Sequence, residues 1–449
     1  MTHPTHSPPD PHLWPETVSV SQGAWSVDTV GLAEIAEDFG TPSFVLDVAT
    51  LRARARRYRQ AFTAAFAGID VDVYYASKAF SSKAVLRWVH AEGLGVDVAS
   101  LGELTTALQA QVPAHRLGLH GNNKSDEELD LAVRSGVGRI IVDSFAEIDR
   151  VAAVAATHRV RQDVLVRVTT GVHAGGHDFI ATAHEDQKFG LSLASGAAAQ
   201  ALAQIHRQPQ LRLRGLHSHI GSQIIDGAGF AAAARALLDL RAQFAAQTGH
   251  VLDEVDLGGG FGVAYTPGES ELDIGATAAQ LARVVREHTA ADDLPAPAIS
   301  FEPGRAIIAP AMLTLYRVGT CKPVQLEDGT SRLYVSVDGG MSDNLRPALY
   351  GADYHAHVVS REVPGPLVPA RVVGMHCESG DIVVRDVQLP EQTSPGDLLA
   401  VPVTGAYGRS MASNYNLVPR PGVVAVQDGR AREIVRRETI ADLLALDVG

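Results

Sequence analysis

The sequence predicts a parallel (β/α)8 barrel of the TIM type followed by an antiparallel β-sandwich or β-barrel domain. Three observations carry that expectation. Eight strand-type runs lie between residues 71 and 305, each separated from the next by a helical pattern. Such alternation means parallel strands joined by crossovers. After Arg305 the texture changes to short strands split by Gly and Pro, which reads as antiparallel. Finally, 449 residues are too many for one ordinary core, so two domains are expected. A doubly wound open sheet is the alternative that periodicity leaves open.

The strands, in order, are "VDVYYAS", "LGVDVAS", "RLGLHG", "RIIVDS", "DVLVRVTT", "LRGLHSHIG", "VDLGGG" and "AISFEPG". In the first, Val71, Val73, Tyr74 and Tyr75 are β-branched or aromatic, as is expected of strands. Between them run "SSKAVLRWVHAEG", "LGELTTALQAQ", "SDEELDLAVRSG", "FAEIDRVAAVAAT", "SGAAAQALAQIHRQ", "FAAAARALLDLRAQFAAQTG" and "ATAAQLARVVREHTA", each with apolar residues at helical spacing. Their span matches the barrel's usual size of about 250 residues. "RLYVSVDGG", "YHAHVVSRE", "ARVVGMHCESGDIVVRDVQLP", "DLLAVPVTGAYG" and "PGVVAVQDGRAREIVRRE" supply the β domain, and "TIADLLALD" a closing helix. The expected divisions are a floppy Pro/His-rich leader over 1–20, a segment 21–45 that packs with the β domain, the barrel over 46–308, and the β domain over 309–449.

Hydrophobic content of 46% with 20% charged residues describes a soluble globular chain. A net charge of −13 argues against a nucleic-acid partner, which would call for a basic patch. Only Cys321 and Cys377 occur, so no disulfide framework is expected and a reducing, cytoplasmic setting fits. The N-terminus has neither a basic n-region nor an apolar h-region. No apolar run approaches membrane-spanning length.

Polar residues gather where the barrel strands end, which is where such barrels place their active sites. That edge carries Lys78, Asp97, His120 with Asn122, Arg167, His219 with Ser222, Gly258–Gly260, and Glu302 with Arg305. One such residue is usually a solvated loop start; a set spread over seven of the eight strands is a site. Lys78 follows a strand read as buried, where an amine should lose proton affinity and become a nucleophile toward a carbonyl cofactor. Gly258, Gly259 and Gly260 offer bare backbone N–H groups suited to a phosphate. Glu302 can hold a pyridine nitrogen protonated. His219 can stack on a flat ring, and Ser222 can donate to phosphate. "HSH" and "HAH" lack an HExxH or CxxC companion, and His173 and His177 sit in a Gly-rich loop, so no metal is expected.

Lysine at strand one, triple glycine at strand seven and "EPGR" at strand eight together resemble the fold-type III pyridoxal-phosphate-dependent decarboxylases, the alanine racemase-like barrel family. "YYASKAF", "RPALYG", "HCESGDIVVRD" and "TGAYGRSMASNYN" are similar to the diaminopimelate decarboxylase branch, over roughly residues 40–440. The resemblance implies pyridoxal 5′-phosphate on Lys78, with Glu302 at the ring nitrogen and His219 on the ring face. It implies phosphate contacts from Ser222, Gly258–Gly260 and the neighbourhood of Gly304 and Arg305, and places Asp97 and Tyr407 near the cofactor. It makes Cys377 the acid that protonates the carbanion, and it implies a homodimer with active sites at the interface. The implied reaction is decarboxylation of meso-2,6-diaminopimelate to L-lysine, the last step of lysine biosynthesis.

Side-chain chemistry independently suits that substrate. Arg305 and Arg346 can pair a carboxylate through forked hydrogen bonds. Tyr350 adds a hydroxyl donor, and Glu378 can take an ammonium. Ornithine and lysine have no distal carboxylate, so two arginines would be wasted on them. The competing readings are a decarboxylase of ornithine, arginine or carboxynorspermidine on the same fold, and a cofactor-binding regulator without catalysis. The presence of both Lys78 and Cys377 argues against the regulator.

Overall fold

The structure is a computed structural model and describes residues 7–172 and 187–449. The chain forms two compact units. One comprises Arg54–Val263 and Glu271–Ala306; the other comprises the N-terminal residues as far as Ala53, Ala264–Ser270 and Ile307–Gly449.

The first unit is a closed parallel barrel. Its strands are β1 (Val71–Ala76), β2 (Gly95–Val98), β3 (Leu117–Leu119), β4 (Arg139–Val142), β5 (Gln162–Thr169), β6 (Leu211–His217), β7 (Glu254–Asp256) and β8 (Ala298–Phe301). Each pairs in parallel with the next, and β8 pairs with β1. Closure leaves no edge strands, so the open doubly wound sheet does not apply. Burial on both faces explains the unbroken apolar runs: every residue of β2 and β4 is buried.

The helices are α1 (Val48–Ala65), α2 (Lys83–Ala91), α3 (Leu101–Gln109), α4 (Asp126–Ser135), α5 (Phe145–His158), α6 (Ala197–His206), α7 (Ala228–Thr248) and α8 (Ile274–Ala291). Serine starts four of them. Ser82, Ser100, Ser125 and Ser144 each accept a bond from the backbone N–H three residues on, which satisfies one orphan donor of the first turn. Ser125 and Glu128 complete a reciprocal capping box.

Strand β8 shows how the barrel aims its site. Ser300 accepts a hydrogen bond from Arg139 of β4 inside the barrel, while Phe301 faces out. Phe301 stacks on Phe62 of α1 at 3.6 Å between ring centroids and meets Phe66 at 5.8 Å. Phe62 and Tyr58 each lie 5.7 Å from Phe261, which stacks on Phe230 of α7 at 4.9 Å. Period-two alternation then turns Glu302 back toward the barrel mouth.

The second unit holds a three-stranded sheet, Ser19–Ser21, Ala24–Val27 and Val30–Gly31, and a nine-stranded one. The larger sheet is mixed, not purely antiparallel. Ser331–Val337 runs parallel to Leu367–Val373, and Val423–Gln427 parallel to Ser43–Asp47. Strand Met312–Gln325 was missed in the sequence because Gly319 and Pro323 punctuate it; the pairing shifts register between Val318 and Thr320. The leader expected over 1–20 is ordered in its later part. Leu13 and Trp14 are buried, and Trp14 packs edge-on against Trp25 at 4.7 Å; aromatic burial outweighs the turn-forming composition around it. Cys321 and Cys377 are both free. Among the described residues, no helix is long and apolar enough to cross a membrane.

The aromatic layer generates a test. Phe301→Ala should lower barrel stability by about 3–5 kcal/mol, read as a fall in the urea midpoint by far-UV circular dichroism. A loss below about 1 kcal/mol would show that the layer does not anchor β8.

Candidate active site

The barrel mouth opens on a cavity of about 340 Å3 lined by Lys78, Asp97, His120, Arg167, His217, His219 and Glu302, among others. Each lies near the end of a barrel strand or just after it: Lys78 sits in the 3-10 turn Ser77–Ala79 after β1, and Asp97 and Arg167 lie in β2 and β5. His120 and Glu302 directly follow β3 and β8, and His217 ends β6. Lys78 is exposed, which corrects the expectation of a buried amine. The strand before it is buried, but the 3-10 turn carries the side chain out into the mouth.

Glu302 is the centre of the site. Only 8% of it is exposed. Its Oε1 lies 3.0 Å from His217 Nε2 and 3.3 Å from His120 Nε2, and His120 Nε2 is 3.2 Å from Asp97 Oδ1. Burial pushes the Glu302 carboxyl upward against the pull of His120. Burial likewise raises Asp97 to about 7, opposed by Arg139 and Lys78. It lowers His120 to about 4, and drives His217 and His219 well below the ordinary imidazole value. Burial thus favours the neutral form of each imidazole. His120, His217 and Glu302 bring three ligand-type atoms within 4.8 Å of one another, a spacing that also suits a small cation. Sequence patterns of the HExxH kind had no means of finding this trio, because its members come from three strands. His173 and His177 lie outside the described residues.

The triple glycine follows β7. Gly258 has φ +69°, and a Cβ there would fall 2.4 Å from the Ser218 carbonyl; one on Gly259 would fall 2.2 Å from the Glu302 carbonyl. Only glycine lets the ends of β6, β7 and β8 approach so closely. The expectation of three bare N–H groups needs correction: Gly258 N–H donates to Asp256 Oδ1 at 2.7 Å, and Gly259 N–H to His219 Nδ1 at 3.4 Å. Local acceptors claim these amides. Nearby, Arg305 donates to the Ser222 hydroxyl at 2.9 Å, so these two residues meet as expected. Gly304 packs on β1, where a Cβ would fall 2.8 Å from the Ala76 carbonyl.

The remaining residues belong to the second unit. In "HCESGD", His376 and Asp381 are buried and form the frame. Asp381 accepts from the backbone N–H groups of Met341 and His376, and the His376 ring bonds Ser342 and Asn416. That frame presents Cys377 and Glu378 to solvent. Arg346 begins the helix Arg346–Tyr350 and is buried, while Tyr350 is exposed. The Arg346 guanidinium donates to Tyr354 Oη at 2.5 Å and lies over the Tyr265 ring at 4.4 Å. Neither tyrosine stood out in the sequence. Tyr407 is half-buried with φ +59°.

Comparison with known proteins decides the family. Residues 48–309 match the pyridoxal-binding domain of the pyridoxal-dependent decarboxylases. The chain is 50% identical to the diaminopimelate decarboxylase of Mycobacterium tuberculosis over 443 residues, covering 98% of each chain. It is 43% identical to that of Bacillus subtilis, covering 95% of each. The chain belongs to the diaminopimelate decarboxylase family. Among solved structures it resembles the M. jannaschii diaminopimelate decarboxylase, with a TM-score of 0.90 at 31% identity, covering 97% of this chain and 98% of that one.

Membership makes pyridoxal 5′-phosphate the cofactor, and the barrel mouth fits it. An exposed lysine faces a cavity whose floor carries buried polar atoms. Among the described residues, Glu302 Oε1, His120 Nε2, His217 Nε2 and both Asp97 oxygens have no aligned hydrogen-bond partner. Such orphans are expected where a polar ligand completes the site.

The Asp97 shift gives a pH test for the cofactor-free protein. Its folded-state value is raised from 3.8 to about 7, so the folded state favours the protonated carboxyl. The stability this confers is full below 3.8 and is lost as pH rises to about 7. Asp97→Asn should therefore stabilise the cofactor-free protein more at about pH 8 than at about pH 4, measured by urea midpoint. An offset equal at both pH values would contradict the assignment.

Proposed function

We propose that this chain decarboxylates meso-2,6-diaminopimelate to L-lysine and CO2. The observation that carries the reading is the meeting, in one cavity, of an exposed lysine and a buried carboxylate in a chain of this family. Bound pyridoxal phosphate supplies a carbonyl that captures amines and a ring that withdraws electrons from the bond to be broken. The residues of the chain do the rest. Lys78 would hold the carbonyl carbon of the cofactor through its Nζ. Glu302 would keep a proton on the ring nitrogen, with His120 and His217 beside the carboxylate. His219 would cover a ring face, and Asp97 would support the site from the floor. Ser222, Gly260, Gly304 and Arg305 would hold the phosphate, with Gly258 and Gly259, whose N–H groups bond Asp256 and His219, shaping the turn.

Side-chain chemistry suits the far end of the substrate. Arg346, kept in place by Tyr354 and Tyr265, can pair a distal carboxylate through forked hydrogen bonds, as can Arg305, and Tyr350 and Tyr407 offer hydroxyl donors. Glu378 takes the distal ammonium. The carboxylate at the D centre leaves as CO2, and a proton from Cys377 replaces it on the α carbon. Two arginines at the far end favour diaminopimelate over ornithine or lysine, which lack a distal carboxylate.

Two experiments test this reading. Incubated separately with meso-diaminopimelate, ornithine and arginine, the holoenzyme should release CO2 from the first alone. Borohydride should fix the cofactor to the peptide carrying Lys78. Release from ornithine or arginine alone, or label on another lysine, would overturn the assignment.

The active site is shared across a two-fold homodimer, Cys377 and Glu378 reaching the barrel mouth of the partner. Support for this is the division of labour: the lysine and carboxylate lie in one compact unit and the proton donor on an exposed turn of the other. Mixed under conditions of subunit exchange, Lys78→Ala and Cys377→Ala should pair at random, and about a quarter of wild-type activity should return. Exchange confirmed by mass with no recovery would assign each Cys377 to its own subunit.

A further inference from the structure

Arg139 opens β4, points into the barrel and is only 2% exposed, and it is not among the residues lining the cavity. Its guanidinium lies over the Tyr74 ring of β1 at 3.8 Å. Across the barrel it pairs with Glu254 and donates to Ser300 Oγ at 3.1 Å. Its other terminal nitrogen donates to Asp256 Oδ2 at 2.6 Å and lies 3.8 Å from Asp97 Oδ1. Asp256 is wholly buried. Its second oxygen, Oδ1, accepts from Gly258 N–H at 2.7 Å. The Gly258 carbonyl in turn accepts from Glu302 N–H at 2.9 Å. A continuous path of hydrogen bonds thus runs from Arg139 through Asp256 to the first glycine of the turn after β7 and on to the backbone of Glu302.

Neither Arg139 nor Asp256 has a part in the chemistry set out above. Filling the barrel and neutralising Glu254 would account for Arg139, but not for Asp256, which divides its two oxygens between the guanidinium and the turn. A carboxylate held at one oxygen presents the other in a fixed direction, and the Gly258 amide must follow it. We propose that Asp256, oriented by Arg139, is a positioning residue that sets the path of the Gly258–Gly260 turn and so the fit of that turn to the cofactor phosphate.

The inference rests on the reading of Gly258–Gly260 as a phosphate site, so its test compares pyridoxal phosphate with pyridoxal, which lacks the phosphate. Dissociation constants of both are measured by absorbance titration of cofactor-free protein. Asp256→Ala should weaken pyridoxal phosphate by about tenfold or more, the loss of one charge-assisted bond, and pyridoxal by less than about twofold. Asp256→Asn, which keeps an acceptor for Gly258 N–H, should recover part of the loss. Arg139→Lys, which keeps the charge but not the fork, should show the same selective loss, smaller in size. Where circular dichroism shows Asp256→Ala unfolded, the isosteric Asp256→Asn and Arg139→Lys variants decide by the same ratio. Equal weakening of both ligands, or of neither, overturns the positioning role. Wild-type protein that binds both ligands equally well would instead overturn the phosphate reading of the turn.

Discussion

The burial of the Glu302 carboxylate is the constraint on which the rest of the site depends. A carboxylate taken out of water is costly unless charge and hydrogen bonds compensate it. Here His217 and His120 lie 3.0 and 3.3 Å from Oε1 without an aligned hydrogen bond to it, so Oε1 is left for a polar ligand to complete. Burial raises Glu302 and Asp97 while it lowers both imidazoles. The result is a buried, polarised floor whose Glu302 Oε1, His120 Nε2, His217 Nε2 and Asp97 oxygens have no aligned hydrogen-bond partner among the described residues. That is the environment in which a carboxylate acts most strongly on a ring nitrogen, because the low local dielectric strengthens the pairing.

The barrel makes this arrangement possible by bringing eight strand ends to one rim. Period-two alternation sends Phe301 into the aromatic layer with Phe62 and Phe66 while Ser300 and Glu302 face inward. The outward ring therefore fixes the inward carboxylate. Glycine at 258 and 259 lets the backbones after β6 and β8 approach the turn after β7 with no side chain between them. Packing on the outside and backbone contact on the inside hold the same few residues.

Much of this was legible in the sequence. Alternating strand and helix patterns identified the barrel. Lys78, Asp97, His120, Arg167, His219 and Glu302 were all read as rim residues, and all line one cavity. What escaped detection depends on contacts across the fold. Asp256 looks like an ordinary strand residue and Arg139 like a strand start, while His217 was weighed only as part of "HSH" and set aside. Only closure of the barrel makes them neighbours. Local 3-10 geometry exposes Lys78, which a strand-by-strand reading could not anticipate. Arg346 was singled out, but its tyrosine partners were not: Tyr265 is distant in sequence, Tyr354 lies past the end of the Arg346–Tyr350 helix, and the two rings meet through the second unit's packing. Likewise, Gly319 and Pro323 hid a fourteen-residue strand whose bulge accommodates the break.

The central claim is that the buried Glu302 keeps the cofactor ring nitrogen protonated. The most direct measurement is the nuclear magnetic resonance shift of that nitrogen in protein loaded with ring-nitrogen-labelled cofactor, compared between wild type and Glu302→Gln at neutral pH. The account predicts a protonated nitrogen in wild type and an unprotonated one in the variant. An unprotonated nitrogen in wild type, or the same protonation state in both proteins, would contradict it.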